Sequence, residues 1–531
     1  MAIISNFPAG GGGSKSLNNA VITLATSSFV YDGTEKNQQI QSVVLNGTTL
    51  HEGADYLVTG NLATEAGTHT ISVLGIMDYG GIATATWNIA KAQGSVSVEP
   101  SSLKVIGKGS IITATINTVS NGIISASSSD ENIVTASVSG NVLSVVCVGN
   151  GDVIVTVSLG EENNYLGASC EVNVTSSLVH VYGVSWDKSD TTILTRTDDA
   201  ALFIDPTPAV GTGSGSSPFD DILPWSGMVK ETVDGNVMVK IPKFWYKWTD
   251  ENGVLKLQIV DGPLNGFHVS PAHMDRGDGK GERDYVYVGR YHCNSGYKSQ
   301  TGMSPRVGDT RASARSGIQA LGSGYYMFDF AMWWTINMLY LVEFADWDCQ
   351  KTIGKGCGNS YNTIRNTGTS DDVAYHTGTH QPNRNTYYEG VQYRWIEDLW
   401  AGVFDWIDGI RFSGRNVYAY INPSEYGNCE SSGGTQVFST NADMSSCISD
   451  YNVPTISGLE WALFPSKVTG AVNYTSYVAD SCSLDSSSVV AYTGGGYYSQ
   501  GSSYGLFRIG SGAASTINPN GYIGVRLQYL P

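Results

Sequence analysis

The sequence predicts a multidomain, mainly β protein that ends in an α+β domain. The chain has 531 residues, which is enough for about three domains. Short stretches that alternate apolar and polar residues, separated by turn residues, fill its first third. After Ser176 aromatic residues become dense, all but one of the 12 tryptophans lie beyond this point, and helix-like stretches appear.

The composition is typical of loop-rich β proteins that work outside cells. Charged residues make up 15% of the chain, against roughly 25% in an average soluble protein. The net charge of −18 argues against a nucleic-acid partner, which would favour a basic face. An acidic chain is also repelled by an anionic membrane. We therefore expect neither nucleic-acid binding nor membrane insertion.

The sequence gives little indication of an export signal or of a membrane-spanning segment. The first residues, "MAIISNFPAGGGGSKS", lack the basic start and apolar region of a secretory signal. The longest apolar stretch, Phe330–Val342, is too short to span a bilayer and predicts a buried helix. An extracellular composition without an export signal fits a virion component, made in the host cytoplasm and released by lysis. A mature secreted fragment is the alternative.

The cysteines do not predict a metal or redox site. The chain has 8 cysteines and no CxxC pair, which argues against a zinc ribbon or a thioredoxin-like site. They are too sparse for a disulfide scaffold. We expect most of them to be buried thiols, and a disulfide or two in about the last 250 residues is left open.

Residues 1–18 form a Gly-rich arm with little to bury, and residues 19–92 form the first β unit. "AVITLATSSFVYDG", "THTISVLGI" and "ATATWNIA" alternate as half-buried strands do. The unit resembles the small immunoglobulin-like repeats of bacterial surface adhesins. The residues that carry this resemblance are Tyr31, Gly33, Gly53, Asp55, Tyr56, Gly67, Gly75, Tyr79 and Gly81.

Residues 93–176 form a second β unit. "SVSVEPSSLKV", "SIITATIN" and "IVTASVSGNVLSVVCVGNGDVIVTVSL" are strands at short, regular spacing, which predicts a β-sandwich. The unit resembles bacterial group-2 immunoglobulin-like modules. Neither β unit contains a cluster of His, Cys or carboxylates, so we expect both to be spacers.

Residues 177–531 contain five characteristic phrases in a fixed order: "YVYVGRYHCN", "TRASARSGIQALG", "MFDFAMWWTINMLYLVEFADWD", "WIEDLWAGVFDWIDGIRF" and the closing "GYIGVRLQYLP". This order resembles the C-type-lectin-like fold of the formylglycine-generating-enzyme type, as used in phage tail receptor-binding proteins. The upstream stretch "VYGVSWDKSDTTILTRTDDA" resembles the lead-in of phage tail proteins. Together these phrases cover nearly all of residues 180–531.

The resemblance implies a binding protein rather than an enzyme. The enzyme branch uses a pair of catalytic cysteines in its C-terminal segment, and here Cys482 is the only cysteine after Cys447. Cysteine catalysis needs a positioned thiolate, so we expect no catalytic residues and no cofactor. The alternatives are a bacterial surface adhesin, a formylglycine-generating type of enzyme, or a glycan hydrolase whose carboxylates lie far apart in the sequence.

The stretch "YTGGGYYSQGSSYG", which starts at Tyr492, predicts a contact surface. Tyr gives a large, rigid contact at low entropic cost, and Ser, Gly and Asn give adaptable hydrogen bonds. Some phage proteins of this fold are diversified by retroelements that rewrite adenines near the end of the gene, and residues 492–520 have the residue types this produces. The candidate anchors are Tyr492, Tyr497, Tyr498 and Tyr504. The candidate rim contacts are Ser499, Ser502, Ser503, Arg508, Ser511, Asn518 and Asn520.

Around that surface we expect Phe507 to be core and the strand Gly521–Tyr529 to be a fixed frame. The resemblance implies that the surface binds a host-cell receptor, either protein or glycan. It also implies that the N-terminal arm binds phage tail proteins and that the chain forms a homotrimer.

Four other signals predict a binding site less strongly. Arg276–Asp278 is an Arg-Gly-Asp tripeptide, which could bind an integrin-like receptor but is better explained as a charged turn. His376 and His380 invite a zinc interpretation, yet Gly378 makes a helix poor there, and His268 and His273 have no obvious partner. The acidic loop around Asp278 leaves a structural calcium ion open. Five tryptophans could stack on sugars but are better explained as core: Trp333, Trp334, Trp395, Trp400 and Trp406.

Overall fold

The computed structural model describes residues 15–26, 28–188, 192–356, 364–380, 390–469, 478–484, 490–493, 504–512 and 522–531. These residues are mainly β and form two compact units, divided after Leu178. Each unit has buried clusters of its own. The predicted multidomain, mainly β class is confirmed.

The first module lies at the start of unit 1. Its main sheet has the order β3-β11-β9-β7, and a second sheet has the order β2-β5-β6. The two sheets enclose a core that contains Val43, Val73 and Trp87. The strands are Lys15–Ser16 (β1), Val21–Leu24 (β2), Ser28–Val30 (β3), Lys36–Asn37 (β4), Ile40–Leu45 (β5), Thr48–Leu50 (β6), Tyr56–Thr59 (β7), Leu62–Ala63 (β8), Gly67–Gly75 (β9), Tyr79–Gly80 (β10) and Ile82–Ala90 (β11).

The second module is an immunoglobulin-like sandwich of two four-stranded sheets. Their orders are β12-β14-β17-β16 and β13-β19-β18-β15. The alternation seen in the sequence places valines such as Val145, Val155 and Val172 between the sheets. The strands are Val96–Glu99 (β12), Ser102–Ile106 (β13), Ile111–Thr118 (β14), Ile124–Ser128 (β15), Val134–Ser139 (β16), Val142–Cys147 (β17), Gly151–Leu159 (β18) and Ala168–Ser177 (β19).

Unit 2 is α+β. Its helices are Arg311–Gln319 (α1), Phe330–Phe344 (α2) and Cys349–Thr352 (α3). Its strands up to the middle of the unit are Tyr182–Asp187 (β20), Thr195–Asp198 (β21), Ala209–Val210 (β22), Val229–Val233 (β23), Asn236–Pro242 (β24), Trp245–Glu251 (β25), Val254–Val260 (β26), His268–Val269 (β27), Tyr285–Gly289 (β28), Tyr325–Met327 (β29), Gly378–Thr379 (β30), Val391–Tyr393 (β31) and Ile396–Glu397 (β32).

The remaining strands of unit 2 form one large sheet, except for the last. They are Phe404–Ser413 (β33), Asn416–Ala419 (β34), Thr435–Ser439 (β35), Met444–Asn452 (β36), Phe464–Thr469 (β37), Ser481–Leu484 (β38), Val490–Thr493 (β39), Ile509–Gly512 (β40), Ile523–Gly524 (β41) and Leu527–Tyr529 (β42). The sheet has the order β35-β34-β33-β39-β40-β38-β36-β37, and β41 pairs with β33.

Helix α2 is the central element of unit 2. Every residue from Phe330 to Phe344 is buried, which confirms the helix predicted from an all-round apolar stretch. The Asp329 side chain caps its N-terminus by accepting a hydrogen bond from the Met332 backbone. The predicted helix in "TRASARSGIQALG" is also confirmed: α1 begins after Thr310, whose hydroxyl accepts from the Ser313 amide.

The last strand joins distant parts of unit 2. Strand β42 lies between β28 and β29 and pairs with both. Strand β41, just before it, pairs in parallel with the start of β33. The segment β41–β42, called the closing strand below, therefore ties two sheets together.

Candidate binding surface

The candidate surface starts from a hairpin in the large sheet. Strands β39 and β40 pair antiparallel, and β39 also pairs with β33. One row of paired residues runs across five strands and consists of Gly524, Asp405, Thr493, Ile509 and Cys482. This row marks one end of the sheet.

Two segments of the chain flank this row: residues 494–503, which are rich in Tyr, Ser and Gly, and residues 513–521, which contain Asn518 and Asn520. Residues 494–503 follow Thr493, and the chain is described again at Tyr504, five residues before Ile509. Residues 513–521 lead to Tyr522, which immediately precedes β41. Of the described residues that flank the two segments, Thr493, Tyr504 and Tyr522 lie at or next to this end of the sheet. Gly512, which precedes residues 513–521, pairs with Val490 at the other end of the hairpin.

Phe404 connects the two ends. Its ring centroid lies 6.3 Å from that of Tyr504 and 6.1 Å from that of Tyr522. Phe404 is buried, whereas both tyrosines are only partly buried and pack against the same cluster. The three rings form an aromatic cluster directly after the points in the chain where residues 494–503 and 513–521 end. We call the partly exposed face that Tyr504 and Tyr522 form on Phe404 the tyrosine surface.

A buried carboxylate anchors the residues after Tyr504. The Gly505 and Phe507 amides donate to the two oxygens of Asp480, the latter at 2.8 Å. The Leu506 amide donates to Sγ of Cys349 at 3.1 Å. Burial raises the pKa of Asp480 to about 7, and the nearby Asp348 adds to the effect. Three consecutive amides are thus satisfied by side chains from other elements.

Arg526 of the closing strand links the start of β33 to other parts of unit 2. Its guanidinium is fully buried and donates to four backbone carbonyls, those of Gly289, Arg290, Glu397 and Asp398, at 2.8–3.2 Å. It also pairs with Asp405, which lies in the row described above, at 3.2 Å. Burial alone would raise the pKa of Asp405, but His292 and Arg526 hold it below its ordinary value.

The predicted contact residues are distributed unevenly over the described part of the chain. Tyr504 lies on the tyrosine surface and is partly exposed. In the β39–β40 hairpin, Tyr492 pairs with Gly510 and Ser511 pairs with Ala491. The other candidates, apart from Arg508, lie outside the described residues: Tyr497, Tyr498, Ser499, Ser502, Ser503, Asn518 and Asn520.

Arg508 does not lie where a rim contact should. Only 4% of its surface is exposed, because it packs behind Tyr504, with its guanidinium carbon 5.2 Å from that ring centroid. The expectation for Phe507 is confirmed, since it is fully buried and its ring lies 4.8 Å from that of Trp347.

The Arg-Gly-Asp tripeptide is not an exposed recognition motif. Arg276 is fully buried and donates to Asp329 at 2.8 Å and to the Ile421 carbonyl at 2.7 Å. Asp278 pairs with Arg283. Both the integrin-like interpretation and the charged turn are wrong for Arg276, because its charge is used inside the fold to hold the cap of α2.

The histidines have partners that the sequence did not reveal. His376 and His380 flank the strand β30 rather than sharing a helix face, and each pairs with a different carboxylate, Asp220 and Asp372. His273 is fully buried between Ser270 and the Ile241 carbonyl, and burial lowers its pKa to about 4. In the described ranges no three His, Cys, Asp or Glu side chains group as metal ligands would.

The tryptophans and cysteines mostly belong to the core. Four of the five candidate sugar-stacking tryptophans are buried, and only Trp395 is partly exposed, with Nζ of Lys230 4.1 Å from its ring centroid. The seven cysteines within the described ranges are free thiols, and Cys357 lies outside those ranges. Among the described helices, none is long and apolar enough to cross a membrane.

The residues that sequence reasoning missed are buried arginines. Arg315 pairs with Asp408 through two contacts at 2.6 and 2.7 Å, and Arg394 pairs with the fully buried Glu343. Every arginine of the chain lies after residue 178. This uneven distribution is the sequence signal that could have predicted buried ion pairs in unit 2, since arginine is the side chain best suited to buried, multiply bonded ion pairs.

Comparisons with known proteins give only remote likenesses. No known family and no curated protein matches the chain. An I-band fragment of titin matches at 12% identity over 46% of this chain and 89% of the fragment, with a TM-score of 0.17. The three N-terminal domains of the bacteriophage RB49 highly immunogenic outer capsid protein match at 11% identity over 46% and 86%, with a TM-score of 0.17. At these TM-scores the likenesses carry no functional argument.

Proposed function

We propose that the chain is a phage tail adhesin that binds a host-cell surface receptor through the tyrosine surface. The observation that carries the proposal is that Tyr504 and Tyr522 both pack on Phe404. We include in the proposed contact surface the Tyr-, Ser- and Gly-rich residues 494–503 and the Asn-containing residues 513–521, which immediately precede these two tyrosines in the chain. Loops of this composition on a rigid scaffold are the arrangement that paratopes use. The mechanism is non-covalent recognition, with no catalytic residues and no cofactor.

The contrast between segments and frame supports a diversified surface. The frame depends on residues that tolerate little change, since a Cβ on Gly505 would lie 2.6 Å from Oδ1 of Asp480. Arg526 likewise has donors committed to five oxygen acceptors. Residues 494–503 are rich in Tyr, Ser and Gly, which substitutions in Asn codons readily produce, and residues 513–521 keep Asn518 and Asn520. A near-copy of this gene segment beside the gene, differing only at adenines, is the expected finding.

The remaining parts of the proposal concern assembly. The Gly-rich residues 1–18 attach the protein to other tail proteins, and the two immunoglobulin-like modules act as spacers within a virion. Three copies form a homotrimer, so that several weak contacts add up to strong attachment. A C-type-lectin-like fold of unit 2 accounts for the closing strand between β28 and β29.

The test is cell binding by the purified full chain after alanine substitution of Tyr497, Tyr498 and Tyr504. Aromatic anchors at interface centres each contribute about 2 kcal/mol or more, so we expect binding to weaken at least about 100-fold. Tyr285→Ala is the matched control, because Tyr285 is 37% exposed and lies outside the tyrosine surface. Unchanged binding by the triple variant would place the receptor site elsewhere.

A further inference from the structure

The geometry points to a rigid junction between the two immunoglobulin-like modules, which makes unit 1 a stiff spacer rather than two beads on a flexible tether. The inference does not depend on which surface binds a receptor. It rests on residues 91–95, which connect β11 to β12, and on the loop 161–166 of the second module.

The connecting segment is paired on both sides rather than free. On the first-module side, β11 runs to Ala90, whose carbonyl accepts from the Tyr31 amide at 2.9 Å. On the second-module side, the Ala92 amide donates to the Asn164 carbonyl and the Leu166 amide donates to the Ala92 carbonyl, both at 2.9 Å. The segment therefore continues a hydrogen-bonded ladder from one module into the other.

Side chains of the loop 161–166 reach past the connector to the first module. The Asn164 side chain accepts from the Ala66 amide at 2.8 Å and donates to Glu65. The Tyr165 ring packs edge-on against Tyr31, with centroids 5.4 Å apart. The two modules thus touch directly as well as through the chain that joins them.

Two residues of the connector fit this closed arrangement. Nζ of Lys91 donates to Glu161 at 2.7 Å and to the Glu162 carbonyl. A Cβ on Gly94 would lie 2.1 Å from the Leu166 carbonyl oxygen, so only glycine allows the loop to approach this closely. A flexible linker rich in Gly and Ser needs neither contact.

A distance distribution between spin labels on the full chain tests the inference. Met77 and Ile111 are 81% and 64% exposed and lie at the ends of their modules away from the junction. Genetically encoded labels there avoid the native cysteines. The expected result is one narrow distance peak, and a broad distribution in the otherwise unaltered chain would overturn the inference.

Variants show whether the named contacts cause the stiffness. The double variant Asn164→Ala/Tyr165→Ala should broaden the distribution at least about twofold, whereas Asn173→Ala, an exposed Asn on β19, should leave it unchanged. A second variant carries a four-residue Gly-Ser insertion after Ala92, which separates the modules without altering either core. If both variants keep the narrow peak, the junction contacts are not what holds the modules.

Discussion

At the scale of single residues, unit 2 is held by buried charges whose partners come from distant parts of the chain. Arg276 meets Asp329 across 53 positions and Arg526 meets Asp405 across 121. A buried ion pair is not a strong source of net stability, but removing one partner leaves an uncompensated charge. These arginines therefore fix which segments lie together more than they stabilise the core.

Arg526 gives the clearest test of that view. Arg526→Ala should lower the free energy of unfolding of unit 2 by about 3–5 kcal/mol, because it removes the arginine partner of the buried Asp405 and the donors to four backbone carbonyls. Arg526→Lys should recover little, since an ammonium cannot reproduce the planar set of donors. Denaturant unfolding followed by tryptophan fluorescence measures this, because unit 2 holds all but one tryptophan.

The matched control is Arg415→Ala. Arg415 pairs with Asp443 at 2.8 Å, and their side chains are 36% and 51% exposed. A surface pair of this kind contributes about 0–1 kcal/mol. Equal losses in the Arg526 and Arg415 variants would show that the closing strand is not held by its arginine.

Asp480 makes the stability of unit 2 depend on pH. Its folded pKa of about 7 lies above the ordinary value of 3.8, so the folded state binds more protons than the unfolded state between these values. The free energy of unfolding must then fall as pH rises from about 4 to 7, by on the order of 4 kcal/mol from this group. Asp480→Asn should remove that fall, whatever constant offset the substitution adds.

The measurement is a series of denaturant titrations at pH 4, 5, 6 and 7. His273 contributes with the opposite sign, since burial lowers its pKa to about 4, and the effect of Asp480 is therefore read as the difference between variant and unaltered protein. Asp443→Asn serves as the exposed-carboxylate control. Parallel curves for the Asp480 variant and the unaltered protein would contradict the assignment.

At the scale of elements, the anchor between Asp480 and residues 505–507 fixes where the tyrosine surface begins. Gly505→Ala should lower the stability of unit 2 by about 1–3 kcal/mol, because its Cβ would lie within 2.9 Å of both Asp480 oxygens and of Sγ of Cys349. The same change should weaken cell binding by displacing Tyr504.

Gly427→Ala is the comparison for that substitution. Gly427 lies in a short 3-10 helix, and a Cβ there would meet no atom within 4 Å. The two variants should differ both in unfolding midpoint and in cell binding. If Gly505→Ala and Gly427→Ala gave the same results in both measurements, the hydrogen bonds of residues 505–507 to Asp480 and Cys349 could rearrange at little cost in stability.

Elements with a local signal were predictable from the sequence. The all-round apolar stretch gave α2, alternation gave the strands of both modules, and the Phe507 position followed from a strand pattern. The partners of Arg276, His273 and Arg508 were not predictable, because each depends on which distant segments meet. Part of the tyrosine surface also depends on such meetings, since pairing in the sheet is what brings Tyr504 and Tyr522 to the same ring, that of Phe404.

At the scale of the whole molecule, the two units have separate cores. The buried clusters of unit 1 contain no residue after Leu178, and those of unit 2 contain none before Val179. The tyrosine surface lies wholly in unit 2. Attachment to the particle and reach belong to unit 1 in our proposal, and recognition belongs to unit 2.

This division predicts that residues 179–531, produced alone, fold and bind host cells with the single-site affinity of the full chain. Only particles that hold several copies together should bind more strongly, because they gain avidity from multiple attachment. Binding of the two proteins as isolated molecules, by titration on cells at low receptor density, should agree within about twofold. Residues 15–178 are the control and should not bind. A folded unit 2 that binds much more weakly than the full chain would show that the immunoglobulin-like modules contact the receptor themselves.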